Sequence, residues 1–316
     1  MITAGTKTKT AVLLVGFGGP TSPEHVRPFL ESVLQGVRIL PERYEEVLKH
    51  YEHVCNVSPY NSSTYKQHDA LKKWLKERGS DLQVGVGFRH SHPAFKDAFQ
   101  GLKKFEIKRV IGFVLSPFRC HSSFEKYKEH LEEGRKEAAA EAVQIVYTDP
   151  FYEHPLFIDA QAARIEEAVK NQGVDLAKTL VVFTAHSIPL KQADESGYAK
   201  QFERCASLVA DKLKLLKWAV AYQSRSGHPT EPWLGPNIKP VAYRMTSKLV
   251  PNLLLVPIGF LCDNVEILYD LDVEVKELCR VRCVRYLRAE AINDHPKFIE
   301  MMGRQVLETQ GGAGAS

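Results

Sequence analysis

Apolar residues along this chain follow two alternating patterns. Short runs rich in β-branched residues recur at strand length, and the segments between them carry apolar residues at the three- and four-residue spacing of helices. The runs are 11–15, 84–88, 110–115, 144–147, 180–185, 217–222, 252–256 and 281–286. Helix-length segments include 63–76, 124–140 and 198–215. Strands that alternate with helices predict an α/β fold whose parallel sheets are covered by helices on both faces.

The eight predicted strands form two sets of four, and a chain of 316 residues is long for a single core. The first set is complete near 150–155. We therefore expect two Rossmann-like domains, 1–153 and 154–309, facing each other across a cleft. The last helical stretch, 296–309, is expected to cross back onto the first domain. Residues 310–316, rich in glycine and alanine, have nothing to bury and are expected to form a flexible tail.

Two predicted strands lead directly to an ionisable side chain. The run 180–185 ends at His186, and a second apolar run, 257–265, stops at Glu266. Ligands of open α/β sheets bind beyond the carboxyl ends of the strands. An imidazole and a carboxylate are therefore expected to line the cleft.

Further carboxylates follow Glu266 along the chain. Asp270 and Glu274 come at intervals of four, with Asp272 between them, and on a helix positions four apart share a face. Like charges at that spacing repel and lower helix stability. We therefore expect a cation or a proton to pass along this acidic stripe.

Composition narrows the class of protein. Hydrophobic residues make up 44% and charged residues 25%, which is ordinary globular usage. The net charge of +4 slightly favours small anionic ligands. It is spread along the chain and forms no cluster of basic residues of the kind that binds nucleic acid. The longest apolar run, 253–262, is about half the roughly 20 residues that span a bilayer. No signal-peptide cleavage site is visible, and we expect a cytoplasmic protein.

Five sequence blocks resemble the signature blocks of ferrochelatases, which insert ferrous iron into a porphyrin during haem synthesis. In chain order they are VGFGGPTSPEHVRPFLE, VSPYN, FTAHSIP, YQSRSG with PWLGP, and PIGFLCDNVEILYDLDVE. The blocks are unrelated to one another and occur in the family's order over nearly the whole chain, so the resemblance is specific. It implies a porphyrin cleft, porphyrin and Fe2+ as substrates, and no required cofactor.

The resemblance also implies roles for individual residues. His186 and Glu266 match the catalytic positions, and Asp270 and Glu274 join them as metal-binding positions. The residues at porphyrin-binding positions are Phe17, Tyr51, Ser58, His90, Ser122, Tyr127 and Trp233. Without the resemblance, each of these residues has a structural explanation. His186 could be a histidine at a strand end, and Glu266 a carboxylate in the first turn of a helix whose N-cap is Asp263. The hydroxyl residues could be ordinary turn residues.

Other histidines and the cysteines carry weaker signals. His90, His92 and His121 do not have a spacing that places three metal ligands on one element. Six scattered cysteines show no disulfide or zinc spacing and are expected to be reduced thiols. Cys279 and Cys283 lie four apart, but the cysteine-bearing segment that holds an iron–sulfur cluster in some members of the family is missing. A [2Fe-2S] cluster is therefore not expected.

Metal insertion requires removal of two pyrrole protons while a divalent cation approaches the ring. A neutral imidazole near pH 7 can accept a proton or bind ferrous iron, so both roles stay open for His186. Two other functions also stay open at this point. One is a chelatase for another tetrapyrrole and metal, such as cobalt or nickel; the other is a two-domain protein that only carries a tetrapyrrole.

The amino-terminal blocks look closest to the actinobacterial branch of the family, whose members use coproporphyrin III; protoporphyrin IX is the alternative. A substrate with four propionates favours cationic partners, for which Arg38, His50 and Arg119 are candidates. Two residues depart from relatives: Phe17 stands where some have tyrosine, and Asn264 where many have histidine. The resemblance leaves room for peripheral membrane contact and for handover of the porphyrin from the preceding enzyme of the pathway.

Overall fold

A computed structural model describes residues 9–35, 41–227, 230–245 and 250–313. Its strands are β1 (Thr10–Gly16), β2 (Gln83–Phe88), β3 (Arg109–Val114), β4 (Gln144–Tyr147), β5 (Thr179–His186), β6 (Trp218–Gln223), β7 (Asn252–Val256) and β8 (Arg285–Arg288). Its α-helices are α1 (Val26–Val33), α2 (Pro41–His53), α3 (Tyr60–Glu77), α4 (Phe95–Lys103), α5 (Lys126–Glu137), α6 (Pro155–Gln172), α7 (Leu190–Ser196), α8 (Tyr198–Leu213), α9 (Ile238–Met245), α10 (Lys276–Val281) and α11 (Pro296–Glu308). The segments His121–Glu125, Ile267–Val275 and Thr309–Ala313 are π-helical.

The strands form two parallel sheets with the same internal order. The first sheet runs β2-β1-β3-β4 and the second β6-β5-β7-β8. Every strand pair in the two sheets is parallel, so helices connect the strands and cover both faces. The predicted α/β fold with two helix-flanked parallel sheets is confirmed. In each sheet the first strand of the set, β1 or β5, occupies a central position.

One predicted strand is wrong. The run 281–286 was expected to be extended, but Val281 ends α10 and the strand begins only at Arg285. Between them Cys283 has a left-handed backbone with φ of 53°, which turns the chain from helix to strand. The apolar residues at this point alternate as in a strand, which is why the boundary was misplaced. In the structure Val281 lies exposed at the end of a helix.

A continuous apolar core joins the two sheets. Phe151 follows β4, and its ring centroid lies 5.5 Å from that of Phe113 in β3 and 5.2 Å from that of Phe157 in α6. Phe298 of α11 joins the same group, with its centroid 6.1 Å from that of Phe151. Aromatic pairs at these distances add to the stability from burial alone. The two sheets are therefore held by a shared core, and the predicted domain boundary at 153/154 stays a prediction.

The last helix packs against the first half of the chain. Gly303 of α11 lies against Trp74 of α3, and Arg109 donates from Nη2 to the carbonyl oxygen of Thr309 over 3.1 Å. Its Nη1 donates to the carbonyl oxygen of Gln310 over 3.3 Å, so the predicted tail does not start at residue 310. Residues 314–316 lie outside the described residues. Across the described part of the chain, no helix is long and apolar enough to cross a bilayer.

The contact between α11 and α3 leads to a prediction about Gly303. A Cβ atom added there would lie 2.2 Å from Cε3 of Trp74. Because an indole ring cannot yield as a flexible side chain does, Gly303→Ala should lower the free energy of unfolding by roughly 1–3 kcal/mol. Thermal and denaturant unfolding would measure the change.

The matched control is Gly101→Ala in α4, where no atom lies within 4 Å of the added Cβ. That variant should be stabilised by about 0.5–1 kcal/mol, since alanine loses less backbone entropy than glycine in a helix. A Gly303→Ala protein as stable as the parent would show that α11 does not pack on Trp74 in this way.

Candidate active site

The imidazole of His186 lies at the end of β5, where the strand opens into a loop. Its Nδ1 donates to the carbonyl oxygen of Ser187, which can only accept, so Nδ1 carries a hydrogen. The other ring nitrogen, Nε2, lies 3.3 Å from Oε1 of Glu266. The hydroxyl of Tyr198 donates to the backbone carbonyl of His186 over 3.2 Å. The predicted imidazole and carboxylate therefore meet directly.

Charge and burial act in opposite directions on His186. Burial lowers the pKa of the imidazole, but the charge and hydrogen bond of Glu266, the hydrogen bond to Ser187 and the charge of Asp270 together raise it to about 9. The side chains are 30% and 47% exposed, so solvent reaches the pair from one side. The imidazole that the sequence suggested would be neutral near pH 7 is therefore held in its protonated form by the carboxylate.

The loop before Glu266 crosses closely over the end of β5. Gly259 donates its N–H to the carbonyl oxygen of Thr184 over 3.0 Å, and a Cβ atom on Gly259 would lie 2.6 Å from Cβ of Ala185. Only glycine permits this approach. The crossing brings the following residues alongside His186.

The predicted N-cap of the acidic helix is wrong by one residue. Asn264, not Asp263, accepts the N–H of Ile267 over 3.0 Å through its side-chain oxygen, as an N-cap residue does. Asp263 instead accepts from Arg288 over 2.8 Å. The residue that departs from many relatives thus starts the helix that carries Glu266.

The acidic stripe is divided among different partners. Asp270 is buried, and its Oδ2 accepts from the hydroxyl of Ser224 over 2.5 Å. Burial raises the pKa of Asp270 to about 6; the Ser224 bond opposes this rise, and the charges of Glu266 and Glu274 add to it. Glu274 lies 2.8 Å from Nζ of Lys239. Glu266 and Asp270 therefore face the site, while the charge of Glu274 is balanced by a lysine.

Two residues of the YQSRSG block form hydrogen bonds with Glu266 and Asp270. Gln223 ends β6, and its Nε2 lies 3.4 Å from the carbonyl oxygen of Glu266. Ser224 has a left-handed backbone with φ of 60°, a strained conformation for a residue other than glycine. That turn aims its hydroxyl at Asp270. The sequence analysis did not single out Ser224 or Gln223 individually, although their position directly after a strand was the available signal.

The PWLGP block pairs with the loop that leaves His186. Leu234 donates its N–H to the carbonyl oxygen of Ile188 over 2.9 Å, and Trp233 forms a bridge with Pro189. The indole N–H of Trp233 donates to Glu231 over 2.9 Å. The predicted porphyrin-contact residue Trp233 is therefore fixed to the same loop as the imidazole.

Three rings from the first half of the chain, those of Phe17, Phe29 and His90, pack together beside Glu266 and are called the aromatic wall. The ring centroid of Phe17 lies 4.7 Å from that of His90 and 6.0 Å from that of Phe29. Phe29 and Tyr51 belong to an apolar cluster that includes Val265, the residue before Glu266. The structure thus brings Phe17, Tyr51 and His90 to the acidic helix.

Three of the residues at porphyrin-binding positions have little exposed surface: Tyr51, Ser58 and Tyr127 are all buried. Ser58 supports a turn, because its N–H donates to the carbonyl oxygen of Pro20 over 2.8 Å. Ser122 is exposed, and its hydroxyl donates to Gln192 over 2.7 Å. Of these four residues, only Ser122 is exposed to solvent.

Arg89 is a further candidate that the sequence analysis did not select. It follows β2 directly, donates from Nη1 to the carbonyl oxygen of Ser122 over 3.4 Å, and donates from Nε to Nδ1 of His130 over 3.2 Å. No carboxylate among the described residues forms an ion pair with it. Burial lowers the pKa of Arg89, as expected for a guanidinium withdrawn from water, but it remains charged at neutral pH.

His90 differs sharply from His186. Its Nδ1 lies 2.9 Å from the hydroxyl of Ser32, and burial together with the charges of Arg89 and His130 lowers the pKa of His90 to about 3. It is therefore neutral at physiological pH. His92 lies 3.3 Å from Asp97 at the surface. Within the described ranges, no three His, Cys, Asp or Glu side chains are grouped to hold a metal ion.

The candidate propionate partners are placed differently. The ring of His50 stacks on that of Tyr269 in the acidic helix, with centroids 3.7 Å apart. The guanidinium of Arg119 lies 3.9 Å from the ring centroid of Phe124 and donates to the carbonyl oxygen of Thr148. Arg38 lies outside the described residues. Of the two candidates among the described residues, only His50 contacts the helix that carries Glu266.

The cysteines show no pairing that would change the site. Cys279 is buried and Cys283 is exposed, so the two do not share one environment. Cys262, three residues before the acidic helix begins, is buried and accepts from Nε2 of Gln67 over 3.3 Å. Gln67 belongs to α3, so this contact ties the loop before Glu266 to the first half of the chain.

The two-sheet fold resembles that of solved chelatases. The sirohydrochlorin chelatase SirB from Bacillus subtilis subspecies spizizenii, solved in complex with cobalt, matches with a TM-score of 0.57 over 98% of this chain and all of the other, at 13% identity. Identity at this level shows the fold alone.

Comparisons by sequence go further than the fold. A sequence model of the ferrochelatase family matches residues 9–310. A ferrochelatase from Rhodopirellula baltica is 39% identical over 95% of this chain and 86% of its own length. A coproporphyrin III ferrochelatase from Mycolicibacterium smegmatis is 34% identical over 92% of this chain and 87% of its own length.

The chain belongs to the ferrochelatase family. It is a lyase that inserts ferrous iron into a porphyrin in haem synthesis. The resemblance drawn from the five sequence blocks is confirmed. A protein that only carries a tetrapyrrole and a chelatase of another class are both set aside by this membership.

The opposing effects on His186 can be separated by Glu266→Gln. This change removes the carboxylate charge but leaves the imidazole in its pocket, so the pKa of His186 should fall from about 9, although the hydrogen bond to Ser187 and the charge of Asp270 still oppose the effect of burial. Titration of the ring nitrogens by NMR in both proteins would measure the shift. His90 is the internal control, because its pKa of about 3 should leave it neutral from about pH 5 to 8 in both. An unchanged midpoint for His186 would mean that another group holds its proton.

Proposed function

We propose that this enzyme metallates coproporphyrin III and that His186 and Glu266 act in the insertion step as one unit. The observation that carries the second part is the 3.3 Å contact between Nε2 of His186 and Oε1 of Glu266 at the open end of β5. Paired groups whose environments alter their proton affinity are typical of sites that move protons. In this proposal Glu266 binds the arriving cation, and His186 accepts the proton that leaves the porphyrin.

The order of events follows from electrostatics. While Glu266 is unoccupied by a cation, its charge keeps His186 protonated. Ferrous iron that approaches the carboxylate cancels this charge, lowers the pKa of the imidazole and releases its proton to solvent. The neutral imidazole then accepts a proton from a pyrrole nitrogen. Arrival of the metal is in this way coupled to removal of the proton that blocks its entry.

Asp270 is the acceptor for the second pyrrole proton in this proposal. Its pKa of about 6 lets it exchange protons near neutral pH, and its neighbour along the helix is Glu266. Insertion of one Fe2+ thus releases two protons, one through His186 and one through Asp270. Glu274 and Lys239 form an ion pair further along the helix, so we assign Glu274 to an outer position on the metal's route.

The porphyrin is proposed to lie between the aromatic wall and the His186 loop. Phe17 and the neutral ring of His90 offer flat, uncharged surface on one side, and Trp233 lies on the opposite loop. Ser122 is exposed, whereas Tyr51, Ser58 and Tyr127 are buried, so Ser122 is the one of these four hydroxyls that solvent reaches. An uncharged His90 suits this position because a cation there would repel the incoming iron.

The preference for coproporphyrin III is supported by Arg89. A guanidinium without a carboxylate partner among the described residues, lying beside Ser122, is suited to bind a propionate in a two-pronged contact. The matching relative from Mycolicibacterium smegmatis is named for this porphyrin. Arg119 was a candidate for the same role, but its guanidinium already lies on Phe124.

His186→Ala should reduce iron insertion by at least about a hundredfold, because it removes the group that accepts the pyrrole proton. The assay is anaerobic incubation with ferrous iron and coproporphyrin III, followed by absorbance. His92→Ala is the matched control, since that histidine is at the surface, 92% exposed, and should retain full turnover. Normal turnover by a folded His186→Ala protein would remove the assigned role.

Arg89→Gln should lower kcat/KM for coproporphyrin III by about tenfold or more, since a charge-assisted hydrogen bond contributes roughly 1.5–3 kcal/mol. The loss should be smaller for protoporphyrin IX, which has fewer propionates to bind. Specificity constants for both porphyrins would be measured under identical detergent conditions. Arg119→Gln serves as the comparison and should leave the ratio of the two constants unchanged. A parent enzyme that prefers protoporphyrin IX would refute the choice of porphyrin and leave iron insertion standing.

A further inference from the structure

Arg288 links two carboxylates behind the acidic helix. It is the last residue of β8, and its side chain is only 14% exposed. Its Nε lies 2.9 Å from both carboxylate oxygens of Asp272, and its Nη1 donates to Oδ1 of Asp263 over 2.8 Å. A guanidinium is planar and its donors have fixed directions, so these bonds fix the two carboxylates relative to each other.

The two carboxylates lie on either side of the residues that carry the chemistry. Asp263 directly precedes the N-cap Asn264, and Asp272 lies within the π-helical segment Ile267–Val275. Glu266 and Asp270 are between them in the chain. A single guanidinium therefore holds both ends of the segment that presents the two acids.

Other groups complete the network around Arg288. The side-chain amide of Asn293 donates to Oδ2 of Asp263 over 3.2 Å, and the hydroxyl of Tyr286 donates to Oδ1 of Asp272 over 2.7 Å. Each carboxylate thus has a second partner, and Arg288 is the group that joins them. A satisfied network of buried charges is rigid, whereas loss of one member leaves unpaired charge in a poorly solvated place.

Rigidity at this place bears on the distance between the catalytic groups. β8 pairs with β7, which pairs with β5, so Arg288 is anchored to the sheet that ends at His186. Glu266 is anchored to that sheet through the Arg288 network on one side and through Gln223 on the other. We infer that Arg288 is a positioning residue that sets the 3.3 Å contact of Glu266 with His186 by holding Asp263 and Asp272.

The test is Arg288→Lys, which keeps the positive charge but cannot make the bonds to both carboxylates. A catalytic group displaced by about 1 Å can cost on the order of a hundredfold in rate, so kcat for iron insertion should fall by about that factor. The dissociation constant for coproporphyrin III, measured by quenching of porphyrin fluorescence, should change less than twofold. Arg280→Lys is the matched control, because Arg280 makes a comparable two-bond contact with Glu277 on the surface of α10. It should leave kcat and porphyrin affinity unchanged.

A double-variant cycle distinguishes positioning from general loss of structure. If Arg288 acts through Glu266, then Arg288→Lys should cause little further loss in a protein that already carries Glu266→Gln. A loss by the same factor in both backgrounds would overturn the inference, as would a parental kcat in Arg288→Lys. Should that variant fail to fold, Asp272→Asn replaces it in the cycle, with the same expected dependence on Glu266.

The inference rests on the proposed role of Glu266, and the cycle separates the two. Full turnover by Glu266→Gln would refute the role of Glu266 and, with it, this inference. Lost turnover in Glu266→Gln together with normal turnover in Arg288→Lys would refute only the positioning role of Arg288.

Discussion

The contact between the imidazole of His186 and the carboxylate of Glu266 is the interaction on which the rest of the site depends. Each charge is partly withdrawn from water, and each compensates the other. A half-buried ion pair is stable only while its geometry is good, because either charge left alone would be costly. The surrounding residues accordingly fix the geometry: Gly259 brings the loop across β5, and Asn264 starts the helix at the right residue.

The site separates its titratable groups by environment. His186 has a pKa of about 9 beside a carboxylate, Asp270 about 6 in a buried position, and His90 about 3 because it is buried next to Arg89. At neutral pH His186, which lies beside the acids, is therefore charged, and His90, which belongs to the aromatic wall, is neutral. Such a division suits a reaction in which a cation must enter from one side and protons must leave by the same side.

The two sheets share one strand order, so equivalent strands lead to the residues of the site. β1 and β5 occupy the same central position in their sheets, and their carboxyl ends deliver Phe17 and His186. The phenylalanine core around Phe151 and the apolar cluster that contains Val265 join the halves on two sides of the site.

The sequence by itself determined the α/β architecture, seven of the eight strands to within a residue, and the histidine at the end of β5. These features can be predicted locally, because the spacing of apolar residues and the residue at a strand end are both properties of short segments. The expectation that Glu266 ends a second strand is wrong, because β7 stops at Val256 and Glu266 lies in the helix that follows. Tertiary structure alone decided which charges pair. Glu266, Asp270 and Glu274 recur at one spacing, with Asp272 between them, yet the four acids meet a histidine, a serine, a lysine and an arginine brought from distant segments. The protonation of His186 and the partners of Arg89 and Arg288 depend in the same way on distances between elements, which no local pattern encodes.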